Sequence, residues 1–76
     1  LGVMLYPNPV SDVLKIDRGQ NDELSVEITN SSGKQMYKTV VKEQIMELDV
    51  SDYAAGVYFV KVSNNMNSQI VRIVKM

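Results

Sequence analysis

Apolar and polar residues alternate along most of the chain with the two-residue period that is typical of β-strands. The clearest example is segment 24–29, where Leu24, Val26 and Ile28 point to one face and polar residues point to the other. This alternation predicts a strand with one buried face and one solvated face. In segment 57–62 both sets of alternate positions carry bulky residues. That pattern predicts a strand at the centre of a sheet.

Weaker strand patterns bring the number of predicted strands to seven. These segments share a short run of apolar or β-branched residues, and they lie at 3–6, 13–16, 35–41, 45–50 and 69–75. Residues that favour turns separate several of the strands, notably in segments 18–22, 30–34 and 64–68. Gly and Asn tolerate positive φ, while Asn, Asp and Ser bond their own backbone, so these segments predict hairpins or short loops.

No segment predicts a helix of useful length. Segment 51–56 could form about one turn before Gly56 ends it, so we interpret it as a turn that carries Tyr53 over the rim of the core. Short strands spaced at about ten residues, without amphipathic helices, predict an all-β protein. We therefore expect residues 1–76 to form a single immunoglobulin-like β-sandwich of about seven antiparallel strands. A closed barrel is the alternative.

The last predicted strand carries apolar residues on both faces. Ile70 and Val74 share one face with Arg72, and the odd-numbered residues 71–75 share the other. One interpretation is a strand packed between the core and a neighbouring element. The other is a strand whose outward face is a surface for a partner, either by strand addition or in an edge-to-edge dimer.

Composition narrows the classes of function. The 76 residues are 45% hydrophobic and 22% charged, which indicates one small globular domain. The net charge is −1, with neither sign gathered in a block, so we expect no nucleic-acid binding. No apolar run approaches the length of a membrane span and no signal peptide is visible. Because the chain begins with Leu1 and not with Met, we expect it to be a fragment of a longer protein.

Candidate catalytic and metal-binding residues are scarce. The chain has no cysteine and no histidine, which removes thiolate metal sites, disulfides and the commonest general base. Acidic residues cluster at Asp22 and Glu23 and again at Asp49 and Asp52. Neither cluster matches a calcium-binding loop or a catalytic dyad, so we interpret them as solvated loop residues. The sequence therefore predicts no enzyme activity, no cofactor and no metal site.

The only two prolines, Pro7 and Pro9, flank Asn8 near the start of the chain. Each proline fixes φ, lacks an N–H donor and pushes the preceding residue into an extended conformation. This elbow cannot belong to a central strand. We expect it to end the first strand and turn the chain across the rim, with Ser11 and Asp12 supplying local hydrogen bonds.

Three segments together resemble a known family. LYPNPVSDVLKI from Leu5, GVYFVKV from Gly56 and the final VRIVKM are similar to the C-terminal sorting domain (type A) of cargo proteins of the type IX, or Por, secretion system of Bacteroidetes. The resemblance extends from Leu5 to Met76, and Arg72 stands where many members have lysine. The family's motif positions fall on Pro7, Asn8, Pro9, Gly56, Val57, Tyr58, Arg72, Ile73, Val74, Lys75 and Met76.

The resemblance implies a non-catalytic secretion signal at the end of a larger cargo protein. Partners would be the outer-membrane translocon and shuttle proteins of the system, which would read the terminal segment. A cysteine-protease-like sortase would then remove the domain and attach the cargo to the cell surface. The implied localisation is the periplasm in transit, followed by the cell surface or the medium.

An accessory immunoglobulin-like module, which binds carbohydrate or spaces an enzyme from the surface, is the alternative function. Carbohydrate sites usually present aromatic side chains on one face, and the chain offers only Tyr6, Tyr37 and Phe59 for this purpose, with Tyr58 expected to be buried.

Overall fold

The computed structural model describes all 76 residues and contains seven strands. They are β1 (Met4–Tyr6), β2 (Val13–Asp17), β3 (Leu24–Asn30), β4 (Gln35–Val41), β5 (Ile45–Asp49), β6 (Gly56–Ser63) and β7 (Ser68–Lys75). The predicted all-β class is confirmed, and every strand end lies within one residue of its predicted position. The chain offers no helix with the length and apolarity needed to cross a bilayer.

The strands form two separate antiparallel sheets. One has three strands in the order β1-β2-β5, and the other has four strands in the order β4-β3-β6-β7. Strand β6 pairs with both β3 and β7, which confirms its predicted central position. Side chains from both sheets contribute to one core, so the fold is a sandwich of the immunoglobulin-like kind and not a closed barrel.

The core follows the alternation seen in the sequence. Leu24, Val26 and Ile28 of β3 are fully buried, and Leu14 and Ile16 of β2 meet them from the other sheet. Each such side chain contributes about 1.5–3 kcal/mol when it leaves water. The thirteen buried apolar residues are Val10, Leu14, Ile16, Leu24, Val26, Ile28, Val41, Leu48, Val50, Tyr58, Val60, Val62 and Ile73. This burial holds the sandwich together without disulfides.

The turn predicted at 51–56 is present, and it places Tyr53 against the core. The amide of Tyr53 donates to the carbonyl of Val50 at 3.0 Å. The carboxylate of Asp49 accepts hydrogen bonds from the amide of Ser51 at 2.9 Å and from its hydroxyl at 2.6 Å. These hydrogen bonds from Ser51 hold the pKa of Asp49 below its ordinary value.

A second turn, after β2, fixes the first residues of the chain. Asp17 Oδ1 accepts hydrogen bonds from the amide of Gly19 at 2.9 Å and from Gln44 Nε2 at 2.7 Å. Both hydrogen bonds lower the pKa of Asp17, and the bond from Gly19 has the larger effect. Gly19 has a left-handed backbone with φ of 62°, and its Cα lies against the carbonyl of Gly2. This close approach leaves no room for a side chain at position 19.

We expect Gly19→Ala to destabilise the fold more than Gly33→Ala. Both glycines have positive φ, which costs alanine about 1–2 kcal/mol. Only at Gly19 would the new methyl group meet backbone atoms, those of Gly2, whereas the space beside Gly33 is open. Urea denaturation of both variants measures the difference. Equal losses of unfolding free energy would contradict the close approach.

The two lowered carboxyl pKa values predict a loss of stability in acid. The pKa of Asp17 and of Asp49 is lower in the folded state than the ordinary value of 3.8. Their stabilising effect is therefore complete above pH 3.8, and it is lost as the pH falls through the pKa values of the folded state. The double variant Asp17→Asn, Asp49→Asn keeps the acceptor oxygens but does not titrate. Its unfolding free energy should fall less steeply below pH 3.8 than that of the unmodified chain, as urea titrations across this range can measure.

Candidate recognition site at one corner of the sandwich

The structure brings together three segments that lie far apart in the sequence. Residues 7–9, 56–58 and 72–76 meet at one end of the four-stranded sheet, and we call this cluster the motif corner. All residues that the sequence analysis selected as recognition candidates lie in it. The sequence patterns alone did not predict that the three segments are neighbours.

Direct strand pairing joins the second and third segments. In the β6–β7 ladder, Val57 lies opposite Val74 and Tyr58 lies opposite Ile73. Tyr58 and Ile73 enter the core, while the two valines lie half-buried on the outward face. The hydroxyl of Tyr58 donates to the carbonyl of Ala54 at 2.7 Å. The start of β6 is thereby fixed beside the end of β7.

The proline elbow joins the corner by hydrogen bonds to the outer edge of β7. Asn8 Nδ2 donates to the carbonyl of Arg72 at 3.0 Å, and the amide of Val74 donates to Asn8 Oδ1 at 3.0 Å. The amide of Val10 donates to the carbonyl of Val74 at 2.8 Å, and the amide of Met76 donates to the carbonyl of Val10 at 2.9 Å. Residues 8–10 therefore extend the sheet beside β7, and we call them the clasp.

The clasp uses the carboxamide of Asn8 in place of a backbone peptide group. An asparagine side chain offers one acceptor and a donor group, which matches the C=O of Arg72 and the N–H of Val74. The bridge between Val10 and Lys75 is parallel, so the clasp runs in the same direction as β7. The corner predicted for the elbow is present. However, the side-chain hydrogen bonds come from Asn8, and not from Ser11 or Asp12 as expected.

The terminal segment has a core face and an outward face. Ile73 is 2% exposed and Lys75 is 8% exposed, whereas Met76 on the outward side is 69% exposed. The ammonium of Lys75 donates to the carbonyl oxygen of Met76 at 2.8 Å, while its stem lies along the rim of the core. Sequence reasoning placed Lys75 on this face but did not predict its burial, because a lysine at the end of a strand is ordinarily solvated.

The recognition candidates thus differ in exposure. Buried residues support the corner from within, and we call those that reach its surface the displayed residues. Those buried are Tyr58, Ile73 and Lys75; those half-buried are Val57 and Val74; those exposed are Pro7, Asn8, Pro9, Gly56, Arg72 and Met76.

The outward face of β6 and β7 beside the motif corner is partly apolar. Phe59 lies opposite Arg72, and Lys61 lies opposite Ile70. Phe59 is 37% exposed and Ile70 is 65% exposed. No element of this chain covers them, so β7 packs against the core on one face only. Of the two interpretations of the last strand, the structure favours the one with an open outward face.

A tyrosine pair lies beneath the corner. The rings of Tyr53 and Tyr58 have centroids 5.4 Å apart and are tilted by 45°. Burial, and to a lesser degree the neighbouring Tyr37 and Tyr58, raise the pKa of Tyr53. The Tyr53 ring therefore stays neutral, and both rings act as part of the packing.

The largest cleft lies at the opposite end of the sandwich. It has a volume of about 340 Å³ and is lined mainly by polar residues of the loops after β2 and β6. Asn64 Nδ2 donates to Asn21 Oδ1 at 2.7 Å across these loops. No group of three His, Cys, Asp or Glu residues is placed to hold a metal ion. The cleft brings together none of the recognition candidates.

Comparisons with known proteins agree with the fold. A family model described as secretion system C-terminal sorting domain matches residues 4–76. The structure is similar to that of PorZ, an essential bacterial surface component of the type IX secretion system of Porphyromonas gingivalis, with a TM-score of 0.81 and 29% identity. That match covers 99% of this chain but 11% of the PorZ chain. No curated protein gives a significant match.

We expect Asn8→Ala to release the outer edge of β7. The change removes two hydrogen bonds, each with a net value of about 0.5–1.5 kcal/mol, and it exposes the amide of Val74. Asn30→Ala is the matched control, because it also removes two side-chain hydrogen bonds, which Asn30 Oδ1 accepts from the amides of Ser32 and Lys34, and because Asn30 lies two strands away from β7. Amide hydrogen exchange by NMR should show faster exchange at Val74 in the Asn8 variant alone. Unchanged exchange at Val74 would contradict the role of the clasp.

Proposed function

The chain belongs to the family of secretion system C-terminal sorting domains, and from this membership we propose that it is a non-catalytic address for export through the type IX secretion system. The observation that carries the proposal is the motif corner. Three segments that the family resemblance singles out, far apart in the sequence, are joined there by strand pairing and by the clasp. Such convergence is what a compact recognition surface requires.

The displayed residues of the corner are the proposed contacts of the export apparatus. Arg72, Val74 and Met76 point outward from β7, with Pro7 and Pro9 beside them. The buried residues of the same motifs, Tyr58, Ile73 and Lys75, position this surface by packing into the core. A positive charge next to apolar side chains is a suitable contact for translocon or shuttle proteins, since it combines area with one charge to fix orientation.

The proposed sequence of events is the one that the family resemblance implies for an address without chemistry of its own. The domain would be recognised at the outer membrane after passage through the periplasm. A cysteine-protease-like sortase would then detach it and attach the cargo to the cell surface. Any enzymatic activity would belong to the cargo and not to the sandwich.

The alternative function, a carbohydrate-binding or spacer module, has less support. Tyr37 lies opposite Ile28 and so shares the core side of the four-stranded sheet, whereas Phe59 lies on its outward face. Tyr6 is in the other sheet. The three aromatic side chains therefore do not form one platform on which a sugar ring could stack.

The test is export of a periplasmic reporter fused to residues 1–76 in a host with a type IX system. The unmodified fusion should reach the cell surface or the medium. A fusion without residues 72–76 should remain in the periplasm. Because this deletion also removes Ile73 from the core, surface substitutions are the sharper comparison.

We expect the double variant Arg72→Glu, Met76→Ser to lower reporter export by at least about tenfold, a loss of about 1.4 kcal/mol of binding. Both side chains are exposed, so the fold should persist. The control is Lys34→Glu, Met66→Ser, which makes a similar charge reversal and the same Met→Ser change at exposed loop positions outside the corner. Quantitative immunoblots of medium and periplasm give the ratio. Equal export of the two double variants would argue against recognition at the corner.

A further inference from the structure

The outer edge of β7 is only partly paired. In an antiparallel ladder, alternate residues direct both backbone groups away from the neighbouring strand. Val74 does so, since its N–H and C=O both bind the clasp. By the same alternation, the N–H and C=O of Ile70 and the N–H of Arg72 point outward. No hydrogen bond within the chain reaches these groups.

The elbow explains why the clasp covers only half of this edge. The clasp runs parallel to β7, so the residues before Asn8 would lie beside Ile70 if the chain continued straight. Instead the preceding residues form β1 of the other sheet, and the chain turns at Pro7 from β1 into the clasp. The edge therefore stays open from Ser68 to Arg72, and we call this segment the open stretch.

The other sheet edges carry features that discourage pairing with another chain. Strand β1 has only three residues. Strand β5 presents Glu47 and Asp49, and β4 presents Lys38 next to a register shift in its pairing with β3. The open stretch has no proline and no bulge, and its central residue, Ile70, is apolar and 65% exposed. Apart from Arg72 at its end, it thus carries none of these features.

We propose that the open stretch is a strand-addition site for an extended segment of a protein of the export apparatus, an inference that rests on the proposed function. Such a segment gains affinity from main-chain hydrogen bonds to Ile70 and Arg72. Its side chains on the outward side of the sheet would be apolar beside Ile70 and acidic beside Arg72. Arg72 is exposed and has no carboxylate within salt-bridge distance, since the single salt bridge joins Lys15 and Glu47.

A backbone-specific substitution tests this site. The N–H of Ile70 takes no part in the β6–β7 ladder, so Ile70→Pro removes an outward donor and leaves that ladder's hydrogen bonds in place. In the reporter fusion we expect Ile70→Pro to lower export by at least about tenfold. Ile70→Val is the matched control, since it keeps both the amide and the apolar character, and it should export within about threefold of the unmodified fusion. Thermal unfolding of each variant reports whether the sandwich is intact.

A second substitution, Ile70→Glu, tests the strand-addition site if the Ile70→Pro variant does not fold. Ile70→Glu places a carboxylate on an exposed position opposite Lys61, where a cross-strand pair of opposite charges supports the sheet. It would repel an acidic segment and should lower export to a similar degree. Val40→Glu is the control, because Val40 is also an exposed strand residue, 47% exposed, and lies opposite the uncharged Ser25 at the other edge of the same sheet. It should leave export unchanged.

The outcomes separate this inference from the function on which it rests. An unmodified fusion that is not exported would overturn the proposed function, and the inference with it. An exported fusion whose Ile70→Pro and Ile70→Glu variants are exported equally well would overturn the inference alone. Sedimentation that shows a dimer which Ile70→Pro dissociates without loss of export would also overturn it, since the open stretch would then serve a second copy of this chain.

Discussion

The hydrogen bonds between the clasp and the last strand are the interaction on which the motif corner depends. A sandwich of this size has no disulfide to hold its last strand in place, so hydrogen bonds from its own chain must do so. Asn8 and Val10 supply them for the end of β7. Without them, the final residues would be held by β6 on one side and by the burial of Ile73 and Lys75 below. The clasp thus turns a strand end that would fray into a fixed part of the sheet.

Within the motifs, residues that pack into the core alternate along each strand with residues that face outward. Ile73 and Lys75 fill the rim of the core, and the residues between them face outward. The same division applies to Val57 and Tyr58 in β6. A substitution in one of these motifs can therefore act either on the stability of the sandwich or on the surface that a partner would contact. Burial indicates which effect to expect at each position.

Local pattern was sufficient to predict the strands, and bulky residues on both faces marked β6 as central, which its pairing with β3 and β7 bears out although its outward face is not buried. The order of the strands in the sheets was not predictable in this way, since the same alternation fits several pairings. The partners of Asn8 were missed for the same reason: its carboxamide binds residues more than sixty positions away, and nothing near Asn8 in the sequence indicates this. The burial of Lys75 likewise depends on the rim that other strands build around it. The family resemblance selected the three motif segments from the sequence, but it did not predict that they lie next to one another in the fold.

The large sequence separation between the clasp and β7 has a consequence for folding. Asn8 is separated by 64 residues from Arg72 and by 66 from Val74, so their contact closes a loop that contains nearly the whole domain. Contacts of such high sequence separation form late, because the entropy of loop closure must first be offset by the strands between. A polypeptide that is incomplete or folded only in part would contain most of the strands but not the finished corner. The corner is thus complete only once the whole domain has folded.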